Sequence, residues 1–392
     1  MNWLADAQEE LKRSNIDGWL VYDFRGCNPV ALKPLVPLLG GGVASRRAFL
    51  WVPADGEPRL LVHAIELGNV PRDLIISKRS YASRESMTAE LKQMLGGAKR
   101  VAMEYSPGGD NPYVGTVDAG TVERIRDLGV EVVSSGDVAQ TLEVWTAAQL
   151  EQHLQAAAVV LEAKDAAFEF LAQRCRAGQE VRETEVLAVI EETFKAGGCI
   201  RDHSPNVSFG AHAADPHYGP GGANDAVLQP GEVVLIDLWC KLPDADAPYA
   251  DVTWMGVRGK PSEEVASTFE AVKAARDVAF TAIADAYARG TWPEGREIDA
   301  AARQTLERAG HGAAFFHRTG HSIGLKAAHG LAAHLDGFET IDTRRLRPGL
   351  GVTIEPGAYY PGRYGVRSEI NVYLAPDGPV ATTDLQAEME IL

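Results

Sequence analysis

Four acidic residues stand at matched spacing in the second half of this 392-residue chain. Pro230 to Asp237 reads PGEVVLID and Pro348 to Glu355 reads PGLGVTIE, each a turn, a strand-like run and a terminal acid. A second acid follows fourteen residues later in both copies: Asp251 within Tyr249 to Val257 (YADVTWMGV), and Glu369 within Gly365 to Leu374 (GVRSEINVYL). Side chains alternate along a strand, so Asp237 faces away from Ile236 and Glu355 away from Ile354. Two strand pairs would then deliver four carboxylates to one pseudo-symmetric centre. A single acid of this kind is ordinarily a solvated strand end. Four at matched spacing repel one another unless protons or cations intervene. Divalent metal is the natural answer, because two ions about 3.5 to 4 Å apart can share bridging carboxylates, as in many hydrolases. An imidazole ligand is expected beside them, and His317 to His329 (HRTGHSIGLKAAH) offers three.

The elements around these residues divide the chain. The first 140 residues alternate helix and strand: a helical pattern over Leu4 to Ser14, strand-like runs at Gly18 to Tyr22, Ala48 to Val52 and Arg59 to Val62, then a helix over Ser86 to Leu95. A strand at Val101 to Tyr105, a helix near Val122 to Asp127 and a strand at Glu131 to Ser134 complete an α/β domain. Thr146 and Gln149 then form a capping box, with Trp145 and Leu150 at the staple positions. A long helix should follow, with Leu150, Leu154, Ala157, Leu161, Phe168 and Leu171 on its apolar face and the Lys164 stem lying along it. Further helices fit Glu183 to Ala196 and Ser262 to Ala288, with strands between and after them. The second domain, residues 146–392, reads as mixed α+β.

The formal charge of −16 disfavours phosphate backbones and anionic lipid, so neither nucleic acid nor membrane is the expected partner. No run approaches the length of a spanning helix, and Met1 to Asn15 alternates charges where a signal peptide would be apolar. Cys27, Cys175, Cys199 and Cys240 form no CxxC pair, which fits reduced thiols and a cytoplasmic location. Eight of the ten histidines lie between His203 and His334, so the chemistry is expected in the second half.

The order PHY (Pro216 to Tyr218), ID (Ile236 to Asp237), DVT (Asp251 to Thr253), TGHSIG (Thr319 to Gly324), IEPG (Ile354 to Gly357) and GVRSE (Gly365 to Glu369) resembles the pita-bread metallopeptidases, which include prolidase, aminopeptidase P and methionine aminopeptidase. The resemblance implies a creatinase-like α/β domain over residues 1–140 and a pita-bread catalytic domain over residues 146–392, as in the proline-specific branch. It implies that Asp237 chelates one metal, that His321 and Glu355 hold the other, and that Asp251 and Glu369 bridge them. Mn²⁺ is favoured by family precedent, with Co²⁺ or Zn²⁺ also suited to such ligands. The nucleophile would be a hydroxide bridging the two ions. Glu355 resembles the proton acceptor, and His217 the histidine that stabilises the tetrahedral intermediate. His317 and His329 would touch the substrate, and Arg367 would orient the bridging acid Glu369. Tyr359 would hydrogen-bond nearby. The implied substrates are short proline-containing peptides, cut by a dipeptidase (Xaa-Pro) or an aminopeptidase (Xaa-Pro-Yaa) acting as a homodimer or higher homo-oligomer.

The chain departs from that pattern in places. The stretch Lys241 to Tyr249 (KLPDADAPY) lengthens the loop before Asp251, making Asp244 and Asp246 rival ligands. Trp239 and Trp254 stand where smaller or basic residues are usual, which bears on the substrate pocket. Gly320 to Gly324 (GHSIG) fits a serine-hydrolase elbow, but that fold needs an acid and then a histidine further downstream than His329 and His334. The scaffold also hosts other chemistry, so a metal-dependent non-peptide hydrolase or lyase is the alternative. Arg318, Lys326 and Arg363 are the candidate cations for a proline carboxylate.

Overall fold

The structure, a computed structural model, describes residues 3–392. The chain divides into two units, Met1–Glu143 and Val144–Leu392, each with its own core.

In the first unit the order is α1 (Trp3–Arg13), β1 (Gly18–Phe24), α2 (Pro29–Leu38), β2 (Arg47–Pro53), β3 (Arg59–His63), β4 (Ser77–Tyr81), α3 (Arg84–Leu95), β5 (Arg100–Met103), α4 (Ala119–Arg126), β6 (Glu131–Ser134) and a short α5 (Gly136–Ala139). The strands form one mixed sheet in the order β4-β3-β2-β1-β5-β6. Alternation sends Trp19, Val21, Leu50 and Val52 into a core with α1 and α2, and Leu20, Tyr22, Phe49 and Trp51 into a second core with α3 and α4. Burial on both faces explains why these strands read as near-continuous apolar runs. Helix α2 and strand β4 were not expected from the sequence. The first carries Pro29, Pro34 and Pro37, yet Asn28 caps it and Pro29 occupies its first turn, where a proline costs no hydrogen bond.

The second unit begins at α6 (Ala147–Arg176), with the expected box between Thr146 and Gln149 in place. Then come α7 (Glu183–Ala196), β7 (Asn206–Phe209), β8 (Val233–Cys240), β9 (Ala250–Val257), α8 (Glu263–Ala288), α9 (Gly295–Arg308), β10 (Gly351–Ile354), β11 (Gly357–Tyr360), β12 (Tyr364–Arg367), β13 (Ile370–Ala375), β14 (Gly378–Ala381) and β15 (Glu390–Ile391). One sheet has the order β15-β9-β8-β7 and another β10-β13-β14, with β11 and β12 as a separate hairpin. Helices α6 and α7 pack on Val234, Ile236, Leu238 and Val252, while α8 and α9 share a core with Val352, Ile354, Ile370 and Val372. This is the pita-bread architecture, so the chain is an α/β unit followed by an α+β unit.

Two expectations shift in detail. On α6, Ala157, Phe168 and Leu171 are buried as expected, but Leu154 is exposed and the buried face also takes in His153, Ala156, Val160, Ala163 and Ala167, because small residues let the helix approach the sheet closely. Lys164 lies buried with its ammonium 4.3 Å over the Trp254 ring and paired with Asp165. The run Gly365 to Leu374 is not one strand: it breaks at Ser368 and Glu369, with β12 pairing β11 and β13 pairing β10.

Candidate metal centre

Strands β8 and β9 pair antiparallel with Asp237 opposite Thr253 and Trp239 opposite Asp251, so the two acids lie on one face, one rung apart. Ile236 and Val252, on the other face, enter the core under α6 and α7. In the second copy β10 pairs β13 with Thr353 opposite Asn371. Asp237 and Glu355 are thus related with a register difference of two residues, which preserves the face. Glu369 occupies the break between β12 and β13, and its side chain is buried.

His321 arrives on an irregular segment stitched to these strands. Its backbone N–H donates to Thr353 Oγ1 (2.9 Å), and its carbonyl accepts from the Thr353 N–H (2.8 Å). Its Nδ1 lies 2.9 Å from the Ser322 carbonyl, which can only accept, so the ring proton sits on Nδ1 and the Nε2 lone pair is free for a cation. Nε2 is 3.6 Å from Asp251 Oδ2 and 3.5 Å from Glu355 Oε1. One ligand atom each from Asp251, His321 and Glu369 lie within 4.8 Å of one another, all three residues buried. Asp251 Oδ1 and Glu369 Oε1 are buried with no hydrogen-bond partner among the described residues. Hard carboxylate oxygens, one imidazole lone pair and two orphaned buried oxygens are a donor set that suits a divalent ion.

The electrostatics point the same way. Burial first, then the charges of Asp237 and Glu355, raise the Asp251 carboxyl well above its ordinary range. Burial and then the Asp251 charge do the same to Glu369, and burial raises Asp237 against the opposing pull of Arg367. Burial, with the Arg318 charge next, lowers the His321 imidazole to about 3, leaving it neutral. Acids pushed up and an imidazole pushed down in one place describe a site that a cation would relieve.

Around this cluster runs a network of which the sequence singled out only part. The Thr253 hydroxyl contacts Glu369 Oε2 (2.8 Å) and Asp237 Oδ1 (3.1 Å) and accepts from Arg367 Nε (2.8 Å). Asn371 clasps the Asp251 backbone, accepting from its N–H (2.8 Å) and donating to its carbonyl (2.6 Å). Thr253 and Asn371 each stand two residues after the second acid of their copy, so the internal repeat extends to the residues that hold the acids. Arg367 ion-pairs with Asp237 and reaches Glu369 only through the Thr253 hydroxyl, so its direct partner differs from the expected one. Both nitrogens of His317 are engaged, Nδ1 with the Arg318 carbonyl (2.6 Å) and Nε2 with the Tyr359 hydroxyl (2.9 Å). His317 therefore braces Tyr359, which also accepts from Arg367 (3.4 Å), and has no nitrogen left for a substrate.

The other expected residues are placed as follows. His329 is exposed, its ring 4.1 Å from that of His321, and its Nδ1 accepts from Arg318 (3.1 Å), leaving the proton on Nε2. His217 is exposed and near enough for its charge to act on His329. Asp244 and Asp246 lie apart from the cluster on the exposed loop, Asp244 accepting from Gln152 (3.1 Å). Trp254 belongs to the core beneath α6, while Trp239 donates to Asp202 (2.7 Å). Arg363 pairs with Glu264. Ser322 sits in isolated bridges with no strand-turn-helix around it, which disposes of the serine-hydrolase elbow. His212, which the motifs left without a role, donates to the buried Glu183 (2.9 Å).

Gly320 shows how tightly the His321 segment is held. A Cβ there would lie 2.1 Å from the Thr353 carbonyl oxygen. Gly320→Ala must push apart the two segments that hold His321 beside Glu355, at an expected cost of about 2 kcal/mol or more. Thermal melting with and without divalent metal checks this; an unchanged midpoint in both conditions would contradict the close approach.

A pseudo-symmetric α+β unit with carboxylates and an imidazole converging from two strand pairs defines a metal-binding pita-bread domain. Residues 151–376 match Metallopeptidase family M24, and the chain belongs to that family. Probable dipeptidase PepE of Mycobacterium tuberculosis (strain ATCC 25618 / H37Rv) is 34% identical over 210 residues, covering 54% of this chain and 52% of the relative. The match thus spans about half the length of that curated relative. An uncharacterized peptidase of Staphylococcus aureus (strain USA300) is 31% identical over 267 residues, 66% of this chain and 69% of that protein. Among solved structures, dipeptidase PepE from Mycobacterium ulcerans superposes with a TM-score of 0.69 at 26% identity, covering 100% of this chain and 97% of that one. The prolidase from Pyrococcus horikoshii OT3 (TM-score 0.57, 22% identity, 99% and 100% covered) shares the fold. No helix among the described residues is long and apolar enough to cross a membrane.

Proposed function

We propose that this chain is a dinuclear-metal-dependent peptidase that hydrolyses the bond preceding proline in short peptides. The observation that carries the reading is the convergence of Asp251, His321 and Glu369 within 4.8 Å, with Asp251 Oδ1 and Glu369 Oε1 unpartnered among the described residues. Asp237, Asp251, His321, Glu355 and Glu369 would hold two divalent ions, Mn²⁺ by family precedent. When bound, the ions would supply Lewis acidity, acidifying the attacking water and polarising the scissile carbonyl.

The chain's own groups do the rest. Glu355 would take the water's proton on a carboxylate oxygen, one of which is held by the Thr353 hydroxyl at 3.1 Å. Arg318 leaves the His329 proton on Nε2, so that ring would donate to a substrate carbonyl. The His217 ring makes no hydrogen bond among the described residues and is exposed, so it would donate to the tetrahedral oxygen and pass a proton to the leaving nitrogen. Arg367 and His317 would hold Asp237 and Tyr359 in place rather than touch substrate. A peptide bond to proline has no N–H, so proteases that grip that hydrogen fail and a dedicated site is needed.

The test is Mn²⁺-supplemented hydrolysis of Ala-Pro against Ala-Pro-Ala, with Asp251→Ala as control. Cleavage of Ala-Pro alone assigns a dipeptidase, and cleavage of Ala-Pro-Ala an aminopeptidase. Activity unaffected by Asp251→Ala refutes the site. Metal uptake without cleavage of either peptide would favour a metal-dependent non-peptide hydrolase or lyase. A cytoplasmic homo-oligomer is part of the same proposal, and sedimentation of the purified protein tests the assembly.

A further inference from the structure

A buried carboxylate outside the proposed centre, Glu183, ties together the segment that carries His217. It is the first residue of α7 and is 0% exposed. Its two oxygens accept from the Phe209 N–H (2.8 Å), the Ala226 N–H (2.9 Å), the Tyr218 hydroxyl (2.6 Å) and His212 Nδ1 (2.9 Å). These four donors span the segment from one end to the other. Between them the backbone is irregular, with Gly221 and Gly222 at positive φ, so it has no ladder of its own to hold its shape. The His212 and Tyr218 rings stack with centroids 4.2 Å apart, placing Tyr218, the neighbour of His217, against the carboxylate's other partner. Asp225 adds a second tie at the same helix start, accepting from the Thr184 N–H (3.0 Å) and hydroxyl (2.9 Å).

The same segment is fastened to the centre. Asn206 stands opposite Asp237 in the β7–β8 register, and its amide donates to the Pro216 carbonyl (3.4 Å), one residue before His217. Ala213 packs so closely on β12 that a Cβ on Gly365 would lie 1.8 Å from its carbonyl oxygen, two residues from Arg367.

We infer that Glu183 is the positioning residue for His217, setting through Tyr218 and the 209–226 segment where that imidazole stands over the centre. The inference rests on the role proposed for His217. A displacement of about 1 Å in a reacting group can cost on the order of 100-fold in rate, so the anchor acts on turnover and not on metal or substrate affinity.

The experiment measures Glu183→Gln and Tyr218→Phe in the full chain, each alone and combined with His217→Ala. Glutamine keeps the size but turns an amide donor toward the donors of the loop. Each single variant is expected to lower kcat by about tenfold to 100-fold with KM within about twofold and bound Mn²⁺ unchanged. On the His217→Ala background the same changes are expected to cost less than about twofold. A full-size further loss there, or an unchanged kcat in both single variants, overturns the inference. Tyr218→Phe removes one hydroxyl only and keeps the test alive if Glu183→Gln does not fold. Amide exchange gives a readout without substrate: Phe209 and Ala226 should exchange at least about tenfold faster in Glu183→Gln, with β8 and β9 unchanged. Unaltered protection at both amides overturns the anchor. A wild-type protein that binds Mn²⁺ yet cleaves neither peptide, with the exchange change present, removes the proposed function and leaves the anchor supported.

Discussion

His321→Ala is expected to yield a folded protein that has lost its divalent metal and its hydrolytic activity together. The imidazole is the only nitrogen donor in the Asp251, His321 and Glu369 cluster, and its Nδ1–H donates to the Ser322 carbonyl, so the Nε2 lone pair is already aimed at the carboxylates. Replacing a group that merely orients a ligand costs about 10- to 100-fold in metal affinity, so deleting the ligand itself should exceed 100-fold. The fold should survive because the segment is held by backbone bonds between His321 and Thr353 that alanine keeps. Metal content after purification, measured beside kcat, checks the result. His217→Ala is the contrasting variant: full metal content with kcat lower by about 10² to 10⁴. If His321→Ala retains its metal, or His217→Ala loses it, the assignment of those two residues is wrong.

The convergence of the acids was legible because it is written in two simple periods. Alternation along a strand and a fourteen-residue return place Asp237 with Asp251 and Glu355 with Glu369, whatever lies between. Glu369 stays buried even though β12 and β13 join different sheets, since the break falls at Glu369 itself. Helix α6, announced by its capping box, was equally readable, since the cap is a local hydrogen-bond requirement. Helix α2 was hidden by its prolines, and the buried face of α6 by its alanines, which carry little hydropathy yet are what a close helix-sheet approach selects.

The supporting residues were harder to read for a different reason. The partner of Arg367 depends on how the β11–β12 hairpin folds over β8, and no spacing rule reports that Asp237 lies nearer its guanidinium than Glu369 does. His317 sits in a motif that suggests contact with substrate, but the Tyr359 hydroxyl and the Arg318 carbonyl claim both of its nitrogens. Thr253 and Asn371 did carry a signal. Extending the internal repeat two residues past each second acid finds both, and each hydrogen-bonds to an acid-bearing residue of the other copy.

Arg367→Met should destabilise the metal-free protein strongly and the metal-loaded protein much less. Arg367 is 4% exposed, and its guanidinium bonds Asp237, the Thr253 hydroxyl and the Tyr359 hydroxyl at once. Methionine fills similar volume but leaves the partly buried Asp237 beside Glu355, Asp251 and Glu369 with no counter-charge. Removing one member of a buried pair costs about 3 to 5 kcal/mol, and for a unit of this size about 1 kcal/mol moves the melting midpoint by roughly 2 to 4 °C. A fall of about 6 to 20 °C is therefore expected without metal. A divalent ion supplies the missing positive charge to the same carboxylates, so saturating Mn²⁺ should recover much of the difference. Arg367→Lys should not substitute, because a single ammonium cannot span three acceptors set by a planar fork. Melting curves of the three proteins with and without Mn²⁺ decide the matter. Equal losses in both conditions would mean that Arg367 supports packing alone, and a metal-free midpoint within about 2 °C of wild type would mean that Asp237 never depended on it.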